Sequence, residues 1–189
     1  MDKTINFCGD SFCANSSEKS WIVQLSNMLN AKLNGTGKDG SAYEHAIKSF
    51  NPDDDITVFC WTESSRIYHP TVSLNQFSCE EMRSKNKIYE AGYQFFRYLH
   101  NPEYSRERQI RDLYWFDNEI LYNYKGLAVS LWGFWKTYDF KYAHTIDMPS
   151  LKSFSVQAPG SVNHTTEEMN TLLAKKIYNF IIKLTAKGI

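Results

Sequence analysis

Short β-branched or apolar runs alternate along the chain with longer stretches of helical spacing. Residues 4–8 are β-prone and stop at the turn signal Gly9-Asp10, which predicts a first strand. From Trp21 onward, Trp21, Ile22, Leu25, Met28, Leu29 and Leu33 fall on one helical face, with Ser16 or Ser17 as the expected N-cap. Residues 32–34 suit a short second strand. Gly35, Gly37 and Gly40 then form a loop before a helix at about residues 42–50, which Asn51-Pro52 ends. Residues 56–61 are continuously apolar or β-branched, as in a strand covered on both faces, and residues 127–131 repeat that pattern after Gly126. Between them, residues 80–124 carry helical periodicity broken at Asn101-Pro102, which predicts two helices. A short last strand is expected at residues 153–156. At the C-terminal end, Thr165 with Glu168 is a capping-box pattern. Met169, Leu172, Leu173, Ile177, Phe180, Ile181 and Leu184 then form one apolar stripe.

Strands alternating with helices imply an α/β fold, a central, mostly parallel five-stranded sheet with helices on both faces, joined by right-handed crossovers. The 189 residues suit one domain spanning 1–189, with a helical insertion at about 64–126. Lys plus Arg and Asp plus Glu are 21 each, so no net field favours nucleic acid or an anionic membrane. No run approaches the roughly 18 apolar residues of a membrane span, and Met1-Asp2-Lys3-Thr4 lacks the layout of a signal peptide. A cytoplasmic protein is expected. Cys8, Cys13, Cys60 and Cys79 form no CxxC pair, so reduced thiols are expected and no metal site is indicated.

In open α/β sheets, binding and catalytic groups collect at the carboxyl ends of the strands. Those ends supply Gly9-Asp10-Ser11, Gly40-Ser41 and Thr62-Glu63, and Asn163-His164 precedes the last helix. With Gly-Asp-Ser directly after the first strand and a histidine ahead of the C-terminal helix, the chain resembles the SGNH hydrolases, also called GDSL-type esterases. The resemblance runs from Ser11 to the helix after His164. It implies a three-layer, flavodoxin-like fold and no cofactor. Ser11 would be the nucleophile, His164 the base, and the N–H groups of Ser11 and Gly40 an oxyanion hole. The expected substrate is a small-molecule or glycan ester carrying a short acyl or acetyl group.

Two positions differ from the family pattern. Ser161 stands three residues before His164, where the family carries Asp. The third block reads Trp61-Thr62-Glu63-Ser64-Ser65-Arg66 in place of Gly-x-Asn-Asp, a form associated with phage-type members. Thr62 is the expected substitute donor, since an ionised Glu63 only accepts hydrogen bonds. Asp10 is expected to shape its turn, and Ser161 to orient the imidazole. Arg66 either holds a substrate anion or pairs with Glu63. Asp139 and Asp147 are distant candidates for the missing acid. Arg97, Arg106, Arg108 and Arg111, interleaved with Tyr98 and Tyr104, are diluted by Glu103, Glu107 and Asp112 and read as a solvated helix face rather than a nucleic-acid surface. Trp61, Trp115, Trp132 and Trp135 suit either core packing or a carbohydrate cleft. The differences leave a second reading open, in which the same fold has lost turnover and serves as a binding or structural module.

Overall fold

The computed structural model describes residues 3–156 and 161–187; Met1, Asp2 and Gly160 lie outside them. Five strands, β1 (Thr4–Gly9), β2 (Lys32–Gly35), β3 (Ile56–Trp61), β4 (Leu127–Trp132) and β5 (His144–Thr145), form one sheet in the order β2-β1-β3-β4-β5. Every pairing is parallel. The strand order reverses between β1 and β3, and in a doubly wound sheet that switch point opens a crevice at the carboxyl ends. Helices on both faces complete a three-layer, flavodoxin-like α/β fold.

Successive side chains of a strand point to opposite faces, and the buried strands divide accordingly. Ile5 and Phe7 of β1, Ile56 and Val58 of β3, and Val129 and Leu131 of β4 pack against α1 (Trp21–Met28) and α6 (Glu167–Thr185). Cys8, Phe59, Trp61, Ala128 and Trp132 face the other way, toward α2 (Tyr43–Lys48) and Leu113 of α5 (Pro102–Trp115). On α6, burying Leu173, Ile177 and Ile181 stabilises by about 1.5–3 kcal/mol each, measured against an extended chain.

Several elements differ from the sequence expectation. The fifth strand is His144–Thr145, whereas Leu151–Phe154 forms a 3-10 turn that takes up the first half of the expected strand at 153–156. Three α-helices, not two, lie between β3 and β4. α3 (Gln76–Met82) and α4 (Lys87–Tyr98) are separated where Asn86 caps α4 by accepting from the Ile88 N–H at 2.8 Å. Pro102 opens α5, and Asn101 accepts from the Tyr104 N–H at 3.0 Å. Beyond α5 the chain widens into a π-turn at Phe116–Ile120. There the buried Asp117 carboxylate accepts from the N–H groups of Lys141 (2.7 Å) and Tyr142 (3.0 Å), fixing the approach to β5.

The caps also shift. Ser20, not Ser16 or Ser17, caps α1, because a turn from Ser17 to Ser20 comes first. Thr166, not Thr165, caps α6. Thr165 is buried in a two-residue bridge with Val162, and its hydroxyl donates to the Val162 carbonyl at 3.0 Å. Among the described residues, no helix is long and apolar enough to cross a membrane.

Candidate active site

β1 delivers its chain end to the switch-point crevice, and the turn that follows is built by Asp10. The Asp10 Oδ1 accepts from the Phe12 N–H at 3.1 Å and its carbonyl accepts from the Cys13 N–H at 3.1 Å, closing a 3-10 turn over Ser11–Cys13. Ser11 thus stands half-buried at the rim while Phe12 and Cys13 turn inward. Asp10 shapes the turn as expected.

Facing it from the far end of the chain is His164. Its Nε2 lies 2.7 Å from the Ser11 Oγ. With the ring proton on Nδ1, the serine hydroxyl donates to Nε2, the arrangement a nucleophile and its base require. The imidazole is exposed, and its ring meets the edge of Phe12 at 5.3 Å. Both Asn163 and His164 adopt left-handed backbone, with φ of 51° and 62°. Asparagine and histidine tolerate that region better than most residues, and here it turns the ring back toward β1.

Neutral amides hold this arm. Asn163 Oδ1 accepts from the Asn15 N–H at 2.9 Å, tying the histidine turn to the loop after Ser11. Deeper in, the buried Asn170 side chain donates to the carbonyls of Val162 and Thr166, each at 3.0 Å, and its Oδ1 accepts from the Trp21 N–H at 2.9 Å. That last bond satisfies a donor at the start of α1 that the helix itself leaves unpaired. Asn15, Asn163 and Asn170 were not singled out from the sequence, because an asparagine in a loop or on a helix carries no signal for a partner roughly 150 residues away.

The nucleophile arm is ionic. Arg66, buried, places its Nη1 3.4 Å from the Asp10 Oδ2 and its Nε 3.2 Å from the Glu63 Oε1, and Nη1 donates to the Ser41 carbonyl at 3.2 Å. It is therefore committed to protein groups and is not an open site for a substrate anion. Burial raises the Asp10 carboxyl above its usual range, and the Arg66 charge offsets part of that rise. Thr62 is buried and its hydroxyl lies near Asp10, favouring the ionised form, yet neither Thr62 Oγ1 nor Asp10 Oδ2 has a hydrogen-bond partner of good geometry.

A groove of about 580 Å³ opens beside the pair, lined by Ser11, Ala14, Asn15, Ser16, Asp39, Ser161, Asn163 and His164. Thr62 and Gly40 are not part of its lining. Thr62 is thus placed behind the nucleophile turn, not at an oxyanion. Gly40 has φ +65°, and an added Cβ would collide with the Ser73 side chain, whose hydroxyl donates to the Gly40 carbonyl at 2.8 Å. Its own N–H makes no hydrogen bond among the described residues. The closest approach of this loop to the nucleophile turn is at Gly37, where a Cβ would meet the Asp10 carbonyl at 2.6 Å.

Among the described residues no carboxylate lies within 4 Å of His164. Asp139 pairs with Lys136, and Asp147 lines a separate hollow with Trp132 and Phe134. Ser161 lines the groove without bonding the ring among the described residues. Cys13 is buried, and burial pushes its thiol well above the ordinary range, as burial takes Cys8 up to about 12, so neither competes with Ser11 as a nucleophile. Elsewhere, Trp61 and Trp132 belong to the core while Trp115 and Trp135 are exposed. The central arginines are taken up locally: Arg97 by Tyr93, Arg108 by Glu44 and Arg111 by Asp112. In comparisons with known proteins, no family model, curated protein or solved structure matches the chain.

Proposed function

We propose that the protein is a serine ester hydrolase of the SGNH type, working through a Ser11–His164 dyad. The observation that carries this reading is the 2.7 Å approach of His164 Nε2 to Ser11 Oγ at the switch point of the sheet. Ser11 Oγ attacks the ester carbonyl while its proton passes to Nε2. The tetrahedral intermediate then collapses, its bond to the alcohol oxygen breaks, and the imidazolium returns the proton to that alkoxide. Water, activated by the same imidazole, splits the acyl-serine to the free acid. Negative charge on the carbonyl oxygen is met by the Ser11 N–H, the backbone donor that lines the groove beside the Oγ. Among the described residues no carboxylate supports the imidazolium, but the ring is exposed, and water solvates the charge in its place.

The groove favours a short acyl group on a hydroxyl-rich alcohol such as an acetylated sugar. Its walls are hydroxyls, amides and one carboxylate, with Ala14 the single apolar residue. A long acyl chain would find nothing there to cover it.

Hydrolysis of p-nitrophenyl acetate tests the proposal. His164→Ala is expected to lower turnover by about 10²- to 10⁴-fold, and Ser11→Ala to abolish both turnover and labelling by a fluorophosphonate. Turnover that survives either substitution would sink the dyad. Absence of turnover in the unmodified protein would favour the second reading, a binding module, for which the lack of a partner on Nδ1 of His164 among the described residues speaks.

A further inference from the structure

We infer that Arg66 is a positioning residue for this site, clamping together the three chain segments after β1, β2 and β3 that frame the nucleophile. The inference rests on the Ser11–His164 reading above. The observation behind it is a convergence. One buried guanidinium reaches Asp10 after β1, the Ser41 carbonyl in the loop after β2, and Glu63 after β3. Each contact acts on a different part of the site.

The Asp10 contact acts through the turn. Asp10 Oδ1 closes the 3-10 turn onto the Phe12 N–H, and the Arg66 charge 3.4 Å from Oδ2 holds the buried carboxylate in place as an ion pair, and with it the turn that carries Ser11. The Ser41 contact acts on the opposite wall. Ser41 directly follows Gly40, and its hydroxyl donates to the Gly9 carbonyl at 3.1 Å, so this loop is tied to β1 once by Ser41 itself and once through Arg66. The position of the Ser41 loop relative to the Ser11 turn is therefore set by a rigid planar group. Glu63 Oε1 holds Nε and so fixes the rotation of that plane. Arg66 also lies over the Phe134 ring at 5.8 Å, and Phe134 in turn meets Phe12 at 6.0 Å, edge to face, so the clamp is packed as well as bonded.

The chemistry requires arginine. Three acceptors in three directions need the guanidinium's fixed fork of donors, whereas a lysine ammonium is a point charge on a flexible stem and cannot hold all three in register. The third block of this chain lacks the asparagine of the SGNH pattern, and Arg66 stands at the end of the same segment. It supplies order where that asparagine would supply a hydrogen bond.

Two variants test the clamp, with kcat expressed per competent site and sites counted from the end point of fluorophosphonate labelling. Arg66→Lys keeps the charge beside Asp10 and loses the fork. The double variant Arg66→Ala/Asp10→Asn removes both charges, so folding does not strand a buried carboxylate. Both are expected to label fully and to lose kcat by about 100-fold, the order reported for a misplaced or missing oxyanion donor. KM should stay within about twofold, and the acid limb of the kcat/KM profile, which reads His164, should not move. A folded variant with kcat unchanged would overturn the clamp, and so would failure of both variants to fold, which would assign Arg66 to stability alone. If the unmodified protein shows no Ser11-dependent turnover, it is the dyad that fails, and the two failures are told apart by that first control.

Discussion

The two arms of the candidate site are held by opposite chemistries. Ser11 stands on a turn backed by buried charge, where Arg66 faces Asp10 and Glu63. His164 stands on an exposed turn backed by amides, where Asn163 meets Asn15, and Asn170 meets Val162, Thr166 and Trp21. Ionic groups hold direction stiffly at short range but require burial and close balance. Amide networks tolerate water and let the ring they carry gain a positive charge without a second cation nearby. On the proposed reading Ser11 has to be aimed while His164 has to change charge, and each arm suits that task.

Breaking the amide arm at its root should have the largest effect on stability. Asn170→Ala strands the Trp21 N–H and removes one of several donors to the Val162 and Thr166 carbonyls, and is expected to cost about 1–3 kcal/mol. Urea denaturation would measure it, and a change below about 0.5 kcal/mol would show that water replaces the amide freely. Asn163 sharpens the comparison, because backbone and side chain can be separated there. Asn163→Ala should lose both the left-handed tolerance and the bond to Asn15, lowering kcat by about tenfold, equivalent to about 1.4 kcal/mol. Asn163→Gly should recover about 1 kcal/mol of stability relative to Ala and leave kcat low. Recovery of kcat in the glycine variant would mean that the turn alone, and not its tie to Asn15, aims the ring.

The smallest effect concerns the ionic arm and pH. Asp10 is raised above its unfolded value by burial, so between the two values the folded state holds more protons than the unfolded one. Stability from this group is then fully present below the unfolded pKa and falls as pH rises through the folded one. Compared with Asp10→Asn, the native protein should therefore gain melting temperature as pH is lowered from neutral into the acid range. A parallel pair of pH profiles would show instead that Arg66 fully compensates the burial.

The strands buried on both faces were legible in the sequence because apolar runs such as Ile56–Trp61 have no other stable place, and the apolar stripe of α6 was equally plain. β5 was not, since two residues paired only through Val129 and Ser130 leave no pattern, and Leu151 and Phe154 went into a 3-10 turn instead. The Ser11–His164 pair could be read because Gly-Asp-Ser after the first strand and a histidine ahead of the last helix resemble the SGNH pattern. Its supports could not. Arg66 looked like a surface partner for Glu63 until the fold brought Asp10 and Ser41 beside it, and Thr62 looked like a donor to the groove until the fold put it behind the turn.

The bond from Trp21 to Asn170 joins segments 149 positions apart, and the nucleophile and base are 153 apart. During synthesis at roughly 5–20 residues per second, the first strand, its turn and Arg66 emerge well before the last helix. On the proposed reading, a growing chain therefore holds Ser11 without its base until His164 and the helix after it have been made, and the pair cannot form before the chain is nearly complete.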